Sequence, residues 1–499
     1  MHTGHSFGLE NNFGHCRKQG SLFLPAAGNR NGSELNNAGE NGNYWSSSLN
    51  ADNPNNAWNF NFNADDQNMN NNNRNNGFPV RAVRSAREHF PDGYSVYRLT
   101  REGLLADLRR AFSDACRHKR RKPYVRRFEA DLEQNLAALC DELFERRYRP
   151  RPSSCFIITD PKKREVFAAD FRDRIVHHLY YNYTHTLFER TFVHDSYSCI
   201  RGRGTHYGIR RLAQHIRWES QGYTVPCWVL KMDIRGYFMH IDRRRLRDIC
   251  QETLDRMASH FVSPSRDRRW REVLDMDFVR YLTEVIVMLD PTENCRIAGS
   301  PDDWEGLPHD KSLFHSPAGC GLPIGNLTSQ LFSNVYLNVL DQYMKRELGC
   351  RHYGRYVDDF YVVSADRQWL TTLPPQVRRV LKERLGLDLH DGKLCITSVW
   401  HGVEFLGAWL KPRRAYMSRC TVGRIGRKIG ALAAGSPAKW EASLNSYCGL
   451  LAHGSNYALR RRLLAGRAEF ASLGVFDLAV RHYSMLPQKL GSSRMLQIY

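Results

Sequence analysis

YGRYVDDFYVV, residues 353 to 363, contains two short apolar runs on either side of a pair of adjacent carboxylates. Valine and aromatic residues favour β-strands, so this stretch predicts a hairpin with the acidic pair at its turn. Successive side chains of a strand point to opposite faces, and Asp358 and Asp359 can therefore reach one site only at such a turn. The alternative is a surface turn that the two residues merely cap, because aspartate is common in turns.

A third carboxylate, Asp233, ends the apolar run WVLKMD at residues 228 to 233. Burying several carboxylates in apolar surroundings costs free energy unless a cation neutralises them. Carboxylate oxygens together with substrate phosphates suit Mg²⁺. We therefore predict that Asp233, Asp358 and Asp359 are catalytic and hold two Mg²⁺ ions about 4 Å apart, an arrangement that can activate a 3′-hydroxyl and stabilise a leaving pyrophosphate.

The charge of the chain is unevenly distributed. Its 499 residues include 72 Lys and Arg and 52 Asp and Glu, a net charge of +20, whereas residues 1–84 contain six of each sign. The entire excess lies in residues 85–499 and predicts a polyanionic partner, usually nucleic acid. A merely soluble basic protein is the alternative. A hydrophobic fraction of 42% excludes a wholly disordered chain.

Several classes of protein are disfavoured by the sequence. No apolar run approaches the roughly 18 residues that a membrane span requires, and the amino-terminal residues lack the apolar core of a secretory signal. The 13 cysteines are scattered without a CxxC pair, which indicates reduced thiols and neither a disulfide framework nor a zinc site. We expect a cytoplasmic protein with no membrane partner.

Residues 1–84, here called the head, are rich in asparagine. From residue 41 to residue 76 nearly every second residue is Asn, with aromatic residues between them. Such tracts are usually disordered, because Asn offers little apolar area to offset chain entropy. WNFNFN, residues 58 to 63, nevertheless alternates like a strand. The head is therefore either the end of a small β-rich module that does not fold alone or a disordered tail.

Further elements can be placed from apolar periodicity. Residues 156–159 and 165–169 predict a hairpin whose basic tip is suited to phosphates. Helices are predicted over residues 172–188 and 331–348, and the chain ends in a basic helical part. Residues 243–318 form a long spacer, in which we interpret the acidic stretch DDWE, residues 302 to 305, as a surface loop.

Four stretches resemble sequence boxes of reverse transcriptases and occur in the same order. YVDD, residues 356 to 359, resembles their YxDD box, and DIRGYF, residues 233 to 238, resembles their first palm motif. Residues 164–177 resemble the fingers stretch of group II intron and related enzymes, and GVEFLG, residues 402 to 407, resembles the primer-grip hairpin. The resemblance implies an α+β right-hand polymerase with fingers, a palm containing a small antiparallel sheet, and a helical thumb.

The resemblance also implies boundaries and partners. The fingers are expected over residues 95–225, the palm over 226–412 and the thumb over 413–499, all preceded by the low-complexity head. The implied substrates are deoxynucleotides, a template RNA and a cDNA primer.

The resemblance assigns roles to individual residues as well. Arg164 and, beside it, Lys162 are expected to bind the triphosphate of the incoming nucleotide, and Lys393 to lie near the same group. Phe238, five residues after Asp233, corresponds to the aromatic residue that screens the 2′ position of the sugar and rejects ribonucleotides.

One further box distinguishes this chain from most reverse transcriptases, which carry QGxxxSP between the carboxylate motifs. The chain instead has LPIGNLTSQ at residues 322 to 330, here called the selection loop, with Ile324 in place of the glutamine and Gln330 in place of the proline. This variant resembles the reverse transcriptases of diversity-generating retroelements, which copy a template-repeat RNA with errors at adenines. Ile324, Gly325, Ser329 and Gln330 are expected to lie near the template base and to set fidelity.

Membership of that group would imply a bacterial or phage-encoded enzyme and a small, basic, oligomeric accessory variability protein as partner. It would also explain the head, because adenines in Asn codons can mutate to many other codons without creating a stop. The head would then be translated template or an over-extended gene start. Two alternatives stay open, namely a group II intron or phage-defence reverse transcriptase, and a nucleic-acid-binding protein with an inactive site.

Overall fold

The computed structural model describes residues 97–160, 162–263 and 266–486, together with seven short strands within residues 4–73. The chain forms two compact units, Met1–Tyr94 and Ser95–Tyr499. The backbone of the first unit contains β1 (Gly4–Phe7), β2 (Leu22–Pro25), β3 (Asn29–Asn31), β4 (Glu34–Asn36), β5 (Gly42–Leu49), β6 (Asn56–Phe62) and β7 (Gln67–Asn73). The alternating stretch at residues 58–63 lies mostly in β6, the central strand of an antiparallel sheet with β5 and β7.

The second unit begins with helices and a small sheet. The helices are α1 (Arg101–Cys116), α2 (Pro123–Ala130), α3 (Leu132–Phe144), α4 (Phe171–Glu189) and α5 (Thr205–Glu219). Strands β8 (Ser153–Ile158) and β9 (Arg164–Ala168) form the hairpin that the sequence predicts. Helix α4 begins where Asp170 accepts a hydrogen bond from the amide of Arg172, an N-cap that satisfies one of the free amides of its first turn.

A four-stranded antiparallel sheet lies at the centre of the second unit. Its strands are β10 (Trp228–Asp233), β14 (His352–Tyr356), β15 (Asp359–Ser364) and β16 (Cys395–Ser398), in the order β14-β15-β10-β16. Strands β14 and β15 are buried at almost every position. This burial explains why their sequences are mostly apolar. The small antiparallel palm sheet expected from the resemblance is therefore present.

Helices cover this sheet and complete the core. They are α6 (Tyr237–His240), α7 (Arg243–Ala258), α8 (Met276–Met288), α9 (Leu327–Gln342) and α10 (Arg367–Val380). Helix α9 corresponds to the predicted helix, but its α-helical part ends at Gln342, after which Tyr343–Glu347 form a π-helical turn. The largest apolar cluster joins side chains from α1, α3, α4, α7, α8, α9 and the central sheet.

The carboxyl-terminal part consists of a sheet followed by a smaller helical cluster. The sheet contains β17 (Val403–Phe405), β18 (Ala408–Lys411) and β19 (Arg414–Met417). The elements after it are α11 (Arg419–Ala433), α12 (Trp440–Leu451), α13 (Tyr457–Arg460), α14 (Ala468–Ala471), β20 (Gly474–Phe476) and β21 (Tyr483–Met485). The sheet crosses residue 412, so the expected palm–thumb boundary falls inside one hydrogen-bonded unit.

The spacer between α6 and α9, residues 243–318, has regular structure. It contains β11 (Phe261–Ser263), β12 (Arg266–Arg269) and β13 (Cys295–Ile297), and β13 pairs in parallel with β8. Asp302, Asp303 and Glu305 are exposed as expected, but Trp304 is partly buried. The acidic stretch is thus at the surface, as interpreted, and only its tryptophan packs inward, which a single residue in an acidic stretch does not signal. Among the described residues, no helix is long and apolar enough to cross a membrane.

Candidate active site

The acidic pair lies at the hairpin turn between β14 and β15. Tyr356 ends the first strand, Asp359 begins the second, and the two are register partners. Asp359 is also directly opposite Asp233 on β10. Opposed residues on antiparallel strands point to the same face, so the carboxylates of Asp233 and Asp359 are neighbours, and Asp358 joins them from the turn. The structure thus brings together the three carboxylates that the sequence singles out.

The turn is held in a backbone conformation that is unfavourable for its own residue. Val357 has a φ of 57°, in the left-handed region that β-branched residues rarely adopt. Its carbonyl accepts a hydrogen bond from Arg355 Nη1 at 3.0 Å, and its amide donates to Ser198 Oγ at 3.2 Å. Strain of this kind persists only where surrounding contacts enforce it. These two hydrogen bonds therefore hold the turn and fix the direction of the following residue, Asp358.

Arg355 is itself fixed by a fully buried ion pair. Its Nε and Nη2 donate to the two carboxylate oxygens of Asp341, at 2.8 and 2.6 Å, and both side chains are inaccessible to solvent. Tyr353 donates to the same carboxylate at 2.6 Å. Removing one partner of such a pair would leave an uncompensated buried charge, at a cost of about 3–5 kcal/mol. The turn that carries Asp358 is therefore held by a buried network of hydrogen bonds around Asp341.

Two lysines partly neutralise the carboxylates. Lys393 Nζ lies 2.8 Å from both carboxylate oxygens of Asp233, and Lys231 Nζ lies 3.9 Å from Asp359. Lys393, which the resemblance placed near the triphosphate, is thus an ion-pair partner of a predicted metal ligand. Among the described residues, no group of three or more His, Cys, Asp or Glu already has a metal-binding arrangement, and the pairing of Asp233 with Lys393 is consistent with this result.

The electrostatics of the site nevertheless favour cations. Burial raises the pKa of Asp358 to about 6, and repulsion by Asp233 adds to the effect. Burial also raises the pKa of Asp359 to about 7, where Lys231 acts in the opposite direction and the other two aspartates reinforce the rise. Carboxylates that resist ionisation in this way gain free energy when a multivalent cation approaches. The donor set of three carboxylates therefore fits hard divalent ions.

Arg164 and Lys162 do not occupy equivalent positions. Arg164 starts β9 and is close enough for its charge to lower the pKa of Asp358, against the larger effect of burial. Lys162 instead lies with Asp160 on a cavity of about 870 Å³ between α5, the β17–β19 sheet and α11. Of the two, Arg164 is therefore the residue near the carboxylates, and its contact with a triphosphate stays a prediction.

The two aromatic residues after Gly236 point in different directions. Tyr237 is buried, and its hydroxyl donates to the carbonyl of Ser333 at 2.7 Å. Phe238 is only partly buried. Of this pair, only Phe238 is partly accessible, and its role against the sugar stays a prediction.

The selection loop is tied to the fingers hairpin through its backbone. Ile324 O accepts a hydrogen bond from the amide of Phe167 at 2.9 Å, and Asn326 Oδ1 accepts one from Ala169 at 3.2 Å. Gly325 has a φ of 130°, and a Cβ at this position would lie 2.9 Å from the carbonyl oxygen of Phe167. Glycine is required here because the loop approaches the strand so closely.

The four predicted fidelity residues differ in exposure. Gly325 and Gln330 are exposed, and Ile324 is partly buried. Ser329 is buried in the first turn of α9, so its side chain faces the core.

Three supporting residues were not found by sequence reasoning. Arg355, Asp341 and Ser198 hold the turn, but charged and hydroxyl side chains are usually exposed, and their spacing carries no signal. Arg355 lies next to the turn in an otherwise apolar run, which is the one hint that it is buried.

Comparison with known proteins agrees with this geometry. Residues 161–410, half of the chain, match the family described as Reverse transcriptase (RNA-dependent DNA polymerase). Protein YkfC of Escherichia coli (strain K12) is 26% identical over 321 residues, which are 58% of this chain and 74% of YkfC. Residues 14–83 match a separate family that is described only as a domain of unknown function.

Solved structures with a related arrangement include telomerases. A telomerase from Candida albicans in complex with a fragment of telomeric RNA has 12% identity and a TM-score of 0.39, over 65% of this chain and 55% of that chain. An apo telomerase from Candida tropicalis has 9% identity and a TM-score of 0.35, over 53% and 48%. The chain thus spans about half the length of these telomerases.

The chain belongs to the reverse transcriptase family. It is an RNA-directed DNA polymerase, a nucleotidyltransferase built on the right-hand polymerase fold. Reverse transcriptase domains use divalent metal ions, which supply charge neutralisation for the attacking and leaving oxygens when bound. Asp233, Asp358 and Asp359 would hold them here, while Lys393, Lys231 and Arg164 contribute fixed positive charge at the same face of the sheet.

Proposed function

We propose that this reverse transcriptase makes cDNA with errors directed to template adenines, as the enzymes of diversity-generating retroelements do. The observation that carries the proposal is the selection loop, which replaces a glutamine by Ile324 and a proline by Gln330. An isoleucine side chain offers no hydrogen bond to the nascent base pair, so one polar contact that could hold a template base in register is lost. Weaker contacts to that base would tolerate mispairs, since discrimination between the right and the wrong nucleotide rests on a few kcal/mol.

The hydrogen bonds of the loop support a role in selection. Because Phe167 donates to Ile324 and Ala169 is held by Asn326, the loop moves together with β9, the strand that begins at Arg164. A change in how the loop meets the template would therefore also affect the residue that meets the triphosphate. Selection by this enzyme would use both ends of that strand.

The remaining assignments belong to the same proposal. Asp233, Asp358 and Asp359 bind two Mg²⁺ ions, Phe238 screens the 2′ position of the sugar, and Arg164 binds the triphosphate. The enzyme works in a bacterial or phage-infected cytoplasm with a small, basic, oligomeric accessory protein. The Asn-dense head, whose codons would be rich in adenine, corresponds to translated template-repeat sequence.

The test is primer extension on RNA templates with Mg²⁺ as the only divalent ion, with misincorporation scored separately opposite each template base. We expect errors to concentrate opposite adenine. The Asp358→Asn variant, which loses a charge needed to balance a metal ion, serves as the inactive control. Errors spread equally over the four bases would contradict the proposal and favour a group II intron or phage-defence type of reverse transcriptase.

A second observation can be made on DNA. If the head derives from a template repeat, the neighbouring genome should contain a near-copy of its coding sequence that differs mainly at adenine positions. The absence of such a copy would contradict the template-repeat origin of the head. It would leave the assignment of the chain as a polymerase unchanged.

A further inference from the structure

The spacer between the first two palm boxes is attached to the fingers hairpin. Residues 295–321 are here called the insert. Its first part, β13, adds a third strand to the hairpin, with Cys295 opposite Ser153, and the amide of Ala298 donates to the carbonyl of Cys155 at 2.8 Å. The insert is therefore an integral part of the sheet that contains the fingers hairpin.

A buried glutamate anchors the insert to β9. Glu165 is 1% exposed, and its carboxylate accepts three hydrogen bonds, from Trp304 Nε1 at 2.7 Å, Ser312 Oγ at 2.8 Å and the amide of Leu313 at 2.7 Å. All three donors belong to the insert. A buried carboxylate is tolerated only with such donors. Loss of one of them would therefore destabilise the contact between Glu165 and the insert. Glu165 is also the neighbour of Arg164 on the same strand.

The insert shares one apolar cluster with the residues that select the nucleotide. Cys155, Phe167, Met239 and Leu313 form its buried centre. Phe238 from the first palm box, Ile324 from the selection loop and Trp304 from the insert all pack against that centre. Because protein interiors are close-packed, the position of each of these side chains depends on the volume of the others.

The backbone gives a second connection. The insert runs directly into the selection loop, where the amide of Leu322 donates to the carbonyl of Phe238 at 2.8 Å. Near its middle, the carbonyl oxygen of Asp310 would lie 3.0 Å from a Cβ at Gly236, which has a φ of 53°. The insert thus also contacts the backbone of the box that carries Asp233 and Phe238.

We propose that the insert is a specificity element of the polymerase, in which Trp304 and Leu313, held by Glu165, position Phe238 against the sugar of the incoming nucleotide. These are positioning residues, because they act through Phe238 and touch no substrate. Removal of the Trp304 ring opens space in the cluster, so Phe238 can withdraw from the 2′ position and admit ribonucleotides. The inference rests on the proposed role of Phe238 as the residue that screens the sugar.

The experiment compares single incorporation of a deoxynucleotide and the matching ribonucleotide by the parent, Trp304→Ala, Trp304→Phe and Glu165→Gln. We expect Trp304→Ala to lower the deoxy-to-ribo ratio of kcat/KM by about tenfold, mainly through a lower KM for the ribonucleotide. Trp304→Phe keeps most of the ring but not the N–H, and Glu165→Gln keeps the shape but not the charge, so both should shift the ratio less and in the same direction. Thermal unfolding monitors the fold of each variant.

Two further variants make the outcome decisive. Phe144→Ala removes an aromatic ring that is 44% exposed at the end of α3, and it should leave the ratio unchanged. Phe238→Ala should lower the ratio strongly, and an unchanged ratio in that variant would overturn both the role of Phe238 and the proposal. If Phe238→Ala lowers the ratio but the Trp304 and Glu165 variants slow both nucleotides equally, the insert is only structural and the proposal is wrong. If Trp304→Ala does not fold, Trp304→Phe and Glu165→Gln decide between these results.

Discussion

Lys393 Nζ contacts both carboxylate oxygens of Asp233 at 2.8 Å, although the two residues are 160 positions apart in the sequence. The contact neutralises the aspartate that ends β10, and it puts an ammonium group where a metal ion would compete for the same oxygens. Lysine and a metal ion are therefore alternative partners of Asp233, and a bound ion would free the lysine to meet phosphates.

Lys393→Met should tighten binding of divalent ions in the absence of nucleotide. Methionine has a similar length but no charge, so Asp233 loses its internal competitor and its carboxylate becomes fully available. We expect the dissociation constant for Mn²⁺, measured by calorimetry without nucleotide, to fall severalfold, and the KM for deoxynucleotide to rise. Lys382→Met, which removes an exposed ion pair with Asp388, is the matched control and should change neither value. Unchanged ion affinity in Lys393→Met would mean that the lysine does not compete at this site.

Phe238→Ala should admit ribonucleotides while retaining DNA synthesis. The ring is partly buried and belongs to a residue five positions after Asp233, and its loss should open space for a 2′-hydroxyl without removing a catalytic group. The measurement is the ratio of deoxy to ribonucleotide incorporation on one RNA template. Tyr237→Phe is the control, since Tyr237 is buried with its hydroxyl on the Ser333 carbonyl and should affect stability more than the ratio. A ratio that moves in Tyr237→Phe and not in Phe238→Ala would reverse the assignment.

Stability should fall below neutral pH in part because of His177. This histidine is buried, and its Nδ1 lies 2.7 Å from Thr328 Oγ1 at the start of α9. Burial lowers its pKa to about 4, with repulsion by His178 and Arg174 adding to the effect. The unfolded state therefore binds a proton below its ordinary pKa of about 6.5, while the folded state does so only below about 4. The contribution to stability is complete above pH 6.5 and is lost as the pH falls towards 4.

The test is the free energy of unfolding of the parent and of His177→Asn between pH 7 and pH 4. The asparagine amide can replace Nδ1 towards Thr328 but does not titrate, so the variant should show a shallower decline. It still retains His178 and His352, whose pKa values burial also lowers, and some decline should remain. Parallel curves for parent and variant would show that His177 does not contribute to the pH dependence.

Deleting residues 1–84 should leave polymerase activity nearly intact. The head carries six basic and six acidic residues, so the excess charge that favours nucleic acid lies entirely in the remainder of the chain. We expect the truncated and full-length proteins to lose RNA affinity with increasing salt at the same slope. A clearly shallower slope after truncation would show that the head contributes phosphate contacts as protein.

The central sheet could be predicted because its signal is local. The hairpin around Asp358 and Asp359 is visible in alternating apolar runs, and the strand that ends at Asp233 has the same character. Their juxtaposition followed from the chemistry of buried carboxylates, which need a common cation. Sequence resemblance to a family supplied the remaining roles, including that of Arg164.

The contacts that hold the site could not be predicted in the same way. The buried pair of Arg355 and Asp341, and the attachment of Trp304 to Glu165, each join single polar residues that look like ordinary surface positions. Such pairs depend on tertiary packing, which neither the periodicity nor the composition of the sequence reveals. The inward packing of Trp304 within the exposed stretch at residues 302–305 could not be predicted for the same reason.

The substitutions Ile324→Gln and Gln330→Pro should together raise fidelity opposite adenine more than opposite the other three bases. Ile324 is fixed to β9 through its backbone carbonyl, so its replacement changes the side chain presented to the nucleic acid without detaching the loop. Gln330 is exposed at the fourth residue of α9, and proline there removes a backbone N–H as well as the amide donor and acceptor of the side chain. A change of about 1.4 kcal/mol between right and wrong nucleotide would alter misincorporation tenfold.

The measurement for this pair is single-nucleotide incorporation opposite each template base by the parent, the double variant and Gln330→Ala. Gln330→Ala removes the amide without adding the rigid ring, and it separates loss of a hydrogen bond from a change in backbone freedom. If the error rate opposite adenine falls in the double variant alone, the glutamine at position 324 or the rigid proline at position 330 is the cause, and if it falls equally in Gln330→Ala, the loss of the amide is. A fall of equal size at all four bases would mean that the selection loop distinguishes the family without causing adenine-directed error.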